Sequence, residues 1–113
     1  MESIRQQKVN KLLAHELAEI FRQESRNTFK NAFISVTSVR VSPDLGFAKV
    51  YISIMQSALR ASVMEALSHH QAAIRKKLAH QIGKQLRVVP ELHFYIDDSL
   101  DYALRIDALL KIN

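Results

Sequence analysis

Between Ile34 and Met55 the hydrophobic period of the chain drops from about 3.6 residues to 2 and then returns, and this change constrains the fold more than any other feature. Ala48, Val50, Ile52 and Ile54 alternate with Phe47, Lys49, Tyr51 and Ser53, the pattern of a strand with one face turned to a core. The β-branched run Ile34–Ser42 before it reads as a second strand. Its alternation slips between Ile34/Val36 and Val39/Val41, so one extra residue, a bulge, is expected near Thr37–Ser38. Pro43-Asp44-Leu45-Gly46 joins the two strands as a hairpin turn. Pro43 presets φ, Asp44 bonds the backbone ahead of it, and Gly46 is expected to supply φ > 0. This loop holds no basic residue, so Pro43, Asp44 and Gly46 read as structural.

A lone hairpin is marginal in water and needs its apolar face covered. The flanking segments supply the cover. Residues 4–25 place Val9, Leu12, Leu13, Leu17, Ile20 and Phe21 on one side of a helix. From Ser57 to Arg87 the helical period carries two stripes, Leu59/Val63/Leu67 and Ile74/Leu78/Ile82/Leu86, whose phases do not join. Two helices broken near His69–Ala72 are therefore expected, with Gly83 marking close packing or fraying in the second. Pro90 cannot donate to a ladder and suits the start of a third strand, Glu91–Ile96. Asp97, Asp98 or Ser99 then caps a short last helix with Leu100, Leu104 and Leu109. The order is α-β-β-α-α-β plus a C-terminal helix, an α+β chain that at 113 residues makes a single domain, 1–113, with an acidic tail over 98–113.

Charge is segregated along this order. The chain carries a net +5, yet residues 57–90 hold six basic residues against one acidic, and residues 91–113 two against five. On the first helix Lys8, Lys11, His15, Arg22 and Arg26 fall in a sector about 60° wide, opposite the apolar stripe. Lys76, Lys77, His80, Lys84 and Arg87 cluster in the same way opposite the later stripe. Two such faces either keep a domain soluble or meet a polyanion, and nucleic acid is the polyanion they fit best.

Four blocks in order, Val36-Thr37-Ser38-Val39-Arg40-Val41-Ser42-Pro43-Asp44-Leu45, Ala48-Lys49-Val50-Tyr51, Pro90-Glu91-Leu92-His93-Phe94 and Asp97-Asp98-Ser99-Leu100-Asp101-Tyr102, resemble the ribosome-binding factor A family. The resemblance implies a type II KH-like fold. It also implies binding to the free 30S small ribosomal subunit and its 16S rRNA, late maturation and 5′-end processing of the precursor, and a link to growth in the cold. A KH module usually clamps RNA with a GxxG loop. Members of this family are known for a helical kink there instead, typically Ala-x-Gly. The aligned triplet here is His70-Gln71-Ala72, without the glycine. Phosphate and shape contacts from helical Lys and Arg are then expected to dominate over readout of individual bases.

No enzyme chemistry stands out. Cysteine is absent. His69, His70 and His80 lack a metal-ligand spacing, and Asp97, Asp98 and Asp101 suit a helix start as well as a cation. Ser35, Ser38, Ser42 and Ser53 lack a nucleophile elbow. Phe47 and Tyr51 fall on the face away from the core, where a ring stacks on a base or covers the sheet. No metal, cofactor or small-molecule substrate is expected. No apolar run is long enough for a leader or a membrane span, so a cytoplasmic monomer with no membrane partner is expected. The competing reading is a protein-interaction module whose basic face docks an acidic partner.

Overall fold

The period change at Ile34–Met55 folds as a hairpin carrying the expected bulge. In the computed structural model, which describes residues 2–97, the elements run α1 (Ile4–Thr28), β1 (Ile34–Val41), β2 (Phe47–Ile54), α2 (Arg60–His69), α3 (Gln71–Ile82) and β3 (Glu91–Ile96). Strands β1 and β2 pair antiparallel, with Val36 opposite Ile52 and Ser38 opposite Tyr51, which leaves Thr37 as the extra residue. Beyond the bulge the valines return to the inner face, Val39 against Val50. Thr37 Oγ1 lies 2.8 Å from Asp97 Oδ2 and 3.1 Å from the Tyr51 carbonyl, so the bulge is tied to the end of β3.

β3 adds to β2 in parallel, giving the sheet order β1-β2-β3. A parallel neighbour needs a crossover, and α2 with α3 provides it. The β3 bounds are those expected from Pro90. The helices cover one face of the sheet. Val9, Leu13, Leu17, Ile20 and Phe21 of α1, Val63 and Leu67 of α2, and Ile74, Leu78 and Ile82 of α3 form one core with Ala48, Val50, Ile52 and Ile54. Phe21 meets Phe29 and Phe94 edge-on, with ring centroids 5.7 and 6.0 Å apart.

Polar side chains finish the edge strand β1. Ser3 and Gln6 form a capping box that starts α1. Gln6 Nε2 donates to the Val41 carbonyl at 3.2 Å, and the Val41 N–H donates to Asn10 Oδ1 at 2.8 Å. At the other end Phe33 N–H donates to Gln56 Oε1, whose Nε2 donates to the Asn31 carbonyl. Backbone groups that would otherwise invite another strand are thereby occupied. The expected C-terminal helix with Leu100, Leu104 and Leu109 lies outside the described residues.

Two turns differ from expectation. In the hairpin the left-handed residue is Leu45 (φ 59°), not Gly46. At Gly46 space is tight instead: a Cβ there would lie 3.1 Å from Asp44 Oδ1, so the carboxylate would have to give way slightly. The Asp44 carboxylate accepts from the Ser42 hydroxyl at 2.6 Å and from the Gly46 N–H at 3.0 Å. Those two bonds hold its pKa below the usual value, the hydroxyl contributing most. The second difference is α3, which stops at Ile82 rather than running to Arg87. Gly83 turns out at φ 59° and ψ −124°, the conformation of the first central residue of a type II′ turn. Nothing lies within 4 Å of where its Cβ would be, so it serves backbone conformation and not close packing.

Candidate nucleic-acid interface

Each basic side chain takes its direction from the apolar stripe behind it. With Val9, Leu13, Leu17 and Ile20 buried, Lys8, Lys11, Arg22 and Arg26 of α1 are exposed. On α3, Ile74 and Leu78 face the core, and Lys76 and His80 face outward. Helices α1 and α3 pack side by side. The two basic sectors that the sequence places far apart therefore belong to one helical layer.

Not every cation in that layer is free. Lys77 Nζ lies 2.6 Å from Glu24 Oε1, joining α3 to α1, and Thr28 Oγ1 donates to the other Glu24 oxygen at 2.9 Å. The Lys77 bond, then the Thr28 bond, hold the Glu24 carboxyl below its ordinary pKa. Arg22 pairs with Glu19 one turn before it at 2.5 Å, which lowers the pKa of the acid and raises that of the base. Arg75, also on α3, donates to the Val89 carbonyl at 2.6 Å and holds the chain entering β3. Lys84 and Arg87 lie past the end of α3, Lys84 in a 3-10 turn and Arg87 in the following loop, both exposed. They extend the basic surface but not as a helical face, because Gly83 interrupts the period that placed them there. Among the described residues, Lys8, Lys11, Arg26, Lys76, Lys84 and Arg87 are engaged in no ion pair.

The kink forms without a glycine. His70 alone separates α2 from α3, at φ −104° and ψ 14°, a conformation open to any L-residue. Its N–H donates to the Ala66 carbonyl, and its own carbonyl accepts from Ile74, both at 2.9 Å, so hydrogen bonding continues through the break. Gln71 fixes the start of α3 by donating from Nε2 to the Leu92 carbonyl. Ala72 is exposed on the first turn. Beside the kink is a cleft of about 330 Å³ lined by Thr28, Lys30, Ser62, Glu65, His69 and His70 among others. Lys30 follows α1 at φ 53°, in a loop that sequence periodicity does not reach. It is a candidate contact that the helical-wheel reading missed.

Pro43, Asp44 and Gly46 sit at the hairpin tip, where the Asp44 carboxylate and the Gly46 N–H are engaged within the turn. The Ser42 hydroxyl also accepts from Gly46 and Phe47 N–H at 3.0 and 3.1 Å, and the Gly46 carbonyl accepts the first β3 N–H, that of Glu91, at 3.0 Å. Among the described residues no group of three His, Asp or Glu is gathered to hold a metal, and no helix is long and apolar enough to cross a membrane. His69 lies 3.7 Å from Glu65, an exposed contact one turn apart.

The strand order, the parallel β2–β3 pair and the two-helix crossover with its kink define a type II KH-like domain. The ribosome-binding factor A family model matches residues 5–110. The chain belongs to that family. It is 48% identical to a ribosome-binding factor A of Cytophaga hutchinsonii over 98% of this chain and 84% of that one. It is 46% identical to the corresponding protein of Chlorobaculum tepidum over 96% and 90% of the two chains. Among solved structures, the crystal structure of ribosome-binding factor A from Thermus thermophilus superposes with a TM-score of 0.67 at 22% identity, over 80% of this chain and 94% of the other.

Proposed function

We infer that this protein binds the free 30S subunit and contacts its 16S rRNA through the outward faces of α1 and α3, together with the loop carrying Lys84 and Arg87. Family membership supports the small subunit as partner, and the relatives bear the name of a ribosome-binding factor. The observation that carries the choice of surface is the side-by-side packing of α1 and α3, which joins two basic sectors into one layer. Lys8, Lys11, Arg26 and Lys76 are each exposed there without a carboxylate partner among the described residues. Phosphates attract such cations without regard to sequence, so shape and backbone position the protein.

On this reading the factor acts by occupancy and carries out no chemistry of its own. It holds a late precursor while the rRNA matures, including at its 5′ end, and it leaves when the rRNA under its basic layer rearranges. Preference for immature over mature subunits then comes from differential affinity for the two rRNA conformations. The protein works as a cytoplasmic monomer. His70, Gln71 and Ala72 set the angle between α2 and α3, while Pro43, Asp44 and Gly46 maintain the hairpin.

Hydroxyl-radical footprinting of isolated precursor subunits, with and without the protein, tests this directly. Discrete 16S rRNA protections are expected, and they should disappear with Lys8→Gln/Lys11→Gln/Arg26→Gln/Lys76→Gln while the variant remains folded. Binding that survives nuclease treatment and leaves no footprint would instead favour a protein partner for the basic layer.

A further inference from the structure

The outward face of the sheet, opposite all three helices, carries an ordered pattern that the helical surface does not explain. Phe47, Lys49 and Tyr51 of β2 alternate outward with Ala48, Val50 and Ile52 inward. On β3, His93 and Tyr95 flank the core-facing Phe94. The register sets these residues in rows. Arg40, Lys49 and His93 lie side by side across the three strands, and Ser38, Tyr51 and Tyr95 form the next outward row.

The rings pair across the strands. Tyr51 and Tyr95 stack with centroids 5.5 Å apart and an interplanar angle of 29°, and Phe47 meets His93 edge-on at 5.8 Å. Phe47 and Tyr95 are each 42% exposed. Paired in this way the rings make a patch rather than scattered exposure, but a simple apolar partner would have to bury the basic row between them. Arg40 stands directly opposite Lys49, a like-charged cross-strand pair that weakens the sheet. Glu2 lies 3.7 Å from Arg40 and Glu91 3.6 Å from His93, whereas Lys49, in the middle, has no ion-pair partner among the described residues. An anion over Lys49 would relieve the repulsion that the register creates.

We propose that this face binds single-stranded RNA, with bases stacked on the Tyr51/Tyr95 and Phe47 rings and the backbone phosphates held over Lys49 and Arg40. Phe47 and Tyr51 are four residues apart along β2, about 13 Å at the rise of a strand. A stacked strand would pass about four bases in that distance, at about 3.4 Å each. Two ring sites so far apart suit an unstacked strand with splayed bases, the form in which single-stranded RNA meets aromatic side chains. The proposal rests on the reading of the protein as an rRNA binder. It adds a second surface on the opposite side of the domain, able to hold one strand while the helical layer holds another element.

An NMR titration of the ¹⁵N-labelled full chain with a single-stranded pyrimidine-rich RNA 10-mer, and separately with an RNA hairpin, tests it. The 10-mer should move the amides of Phe47 to Tyr51 and of His93 to Tyr95; the hairpin should move those of α1 and α3. Phe47→Ser with Tyr95→Ser should raise the Kd for the 10-mer at least about fivefold, the effect of losing one stacked base, and leave the hairpin Kd unchanged. Lys49→Gln, which relieves a like-charged pair and so keeps the fold, should weaken the 10-mer alone. If the 10-mer moves only helical amides, or the variants bind it as well as the parent, the proposal fails, whatever else occupies the face. If neither RNA binds, the rRNA-binding reading itself fails.

Discussion

The helical layer and the outward sheet face both display cations, but they dispose of them differently. On the helices many of the charges have been put to structural use: Glu24 takes Lys77, Glu19 takes Arg22, and the Val89 carbonyl takes Arg75. The remaining cations are dispersed over a broad surface, each on a long side chain that adapts to phosphates at many positions. On the sheet, backbone register holds three basic side chains in one row between rings, with Glu2 beside Arg40, Glu91 beside His93 and Lys49 in no ion pair among the described residues. A count of Lys and Arg would rank the helices first. Geometry separates a surface for backbone phosphates from one whose spacing is set by strands.

The greatest loss of stability is expected at the residue that ends the helical layer. Gly83→Ala forces a Cβ onto φ 59°, ψ −124° and should cost about 1–3 kcal/mol, measured by denaturant unfolding, although the space around it is open. If α3 instead continued without loss of stability, Lys84 and Arg87 would join its outward face, and Gly83 would no longer divide helix from loop.

Glu24→Gln tests whether the cations used internally are withheld from ligand. Losing the Lys77 pair should cost about 0.2–1 kcal/mol, the range for a partly exposed ion pair. Because the folded-state pKa of Glu24 is depressed, its stabilisation is present above the unfolded carboxylate pKa and is lost as pH falls through the lower folded value. Thermal melts from about pH 6 down to about pH 3 should therefore lose more stability for the parent than for the variant. The freed Lys77 should leave RNA affinity equal or slightly higher. A marked loss of affinity would mean that the Glu24–Lys77 pair itself shapes the interface.

The smallest change is expected on the sheet. Lys49→Gln removes one half of the Arg40/Lys49 cross-strand pair and should stabilise the fold by only about 0.2–0.5 kcal/mol in denaturant unfolding, because Arg40 also has Glu2 3.7 Å away. Destabilisation would show that Lys49 has a structural role there.

How far the sequence could be read depended on the range of each interaction. The bulge at Thr37, the break before Gln71 and the β3 bounds at Glu91–Ile96 were legible because each leaves a local mark: a phase slip, two stripes out of register, a proline. The end of α3 was legible only as one of two readings of Gly83, fraying or close packing, since Leu86 continues the apolar period past it and only backbone dihedrals reveal the turn. Composition also favours Gly46 as the left-handed residue of the hairpin, yet Leu45 takes that conformation, and Gly46 answers to the Asp44 carboxylate. In the candidate site the exposed faces of α1 and α3 followed from periodicity. The Glu24–Lys77 pair did not, because it joins residues 53 positions apart. Nor did the Arg40–Lys49–His93 row, which depends on a parallel register no local pattern encodes.

If the helical layer holds rRNA phosphates by charge, its binding must weaken with salt in proportion to the cations engaged. The salt dependence of binding to purified 30S subunits should therefore be compared between the parent and Lys8→Gln/Lys11→Gln/Arg26→Gln/Lys76→Gln. Each phosphate contact contributes about −0.7 to −0.9 to the slope of log K against log salt. The parent should give a linear slope of about −3 or steeper, and the variant a slope shallower by about 3 with its thermal stability retained. A parent slope near zero, or the same slope in both proteins, would contradict a charge-held helical interface.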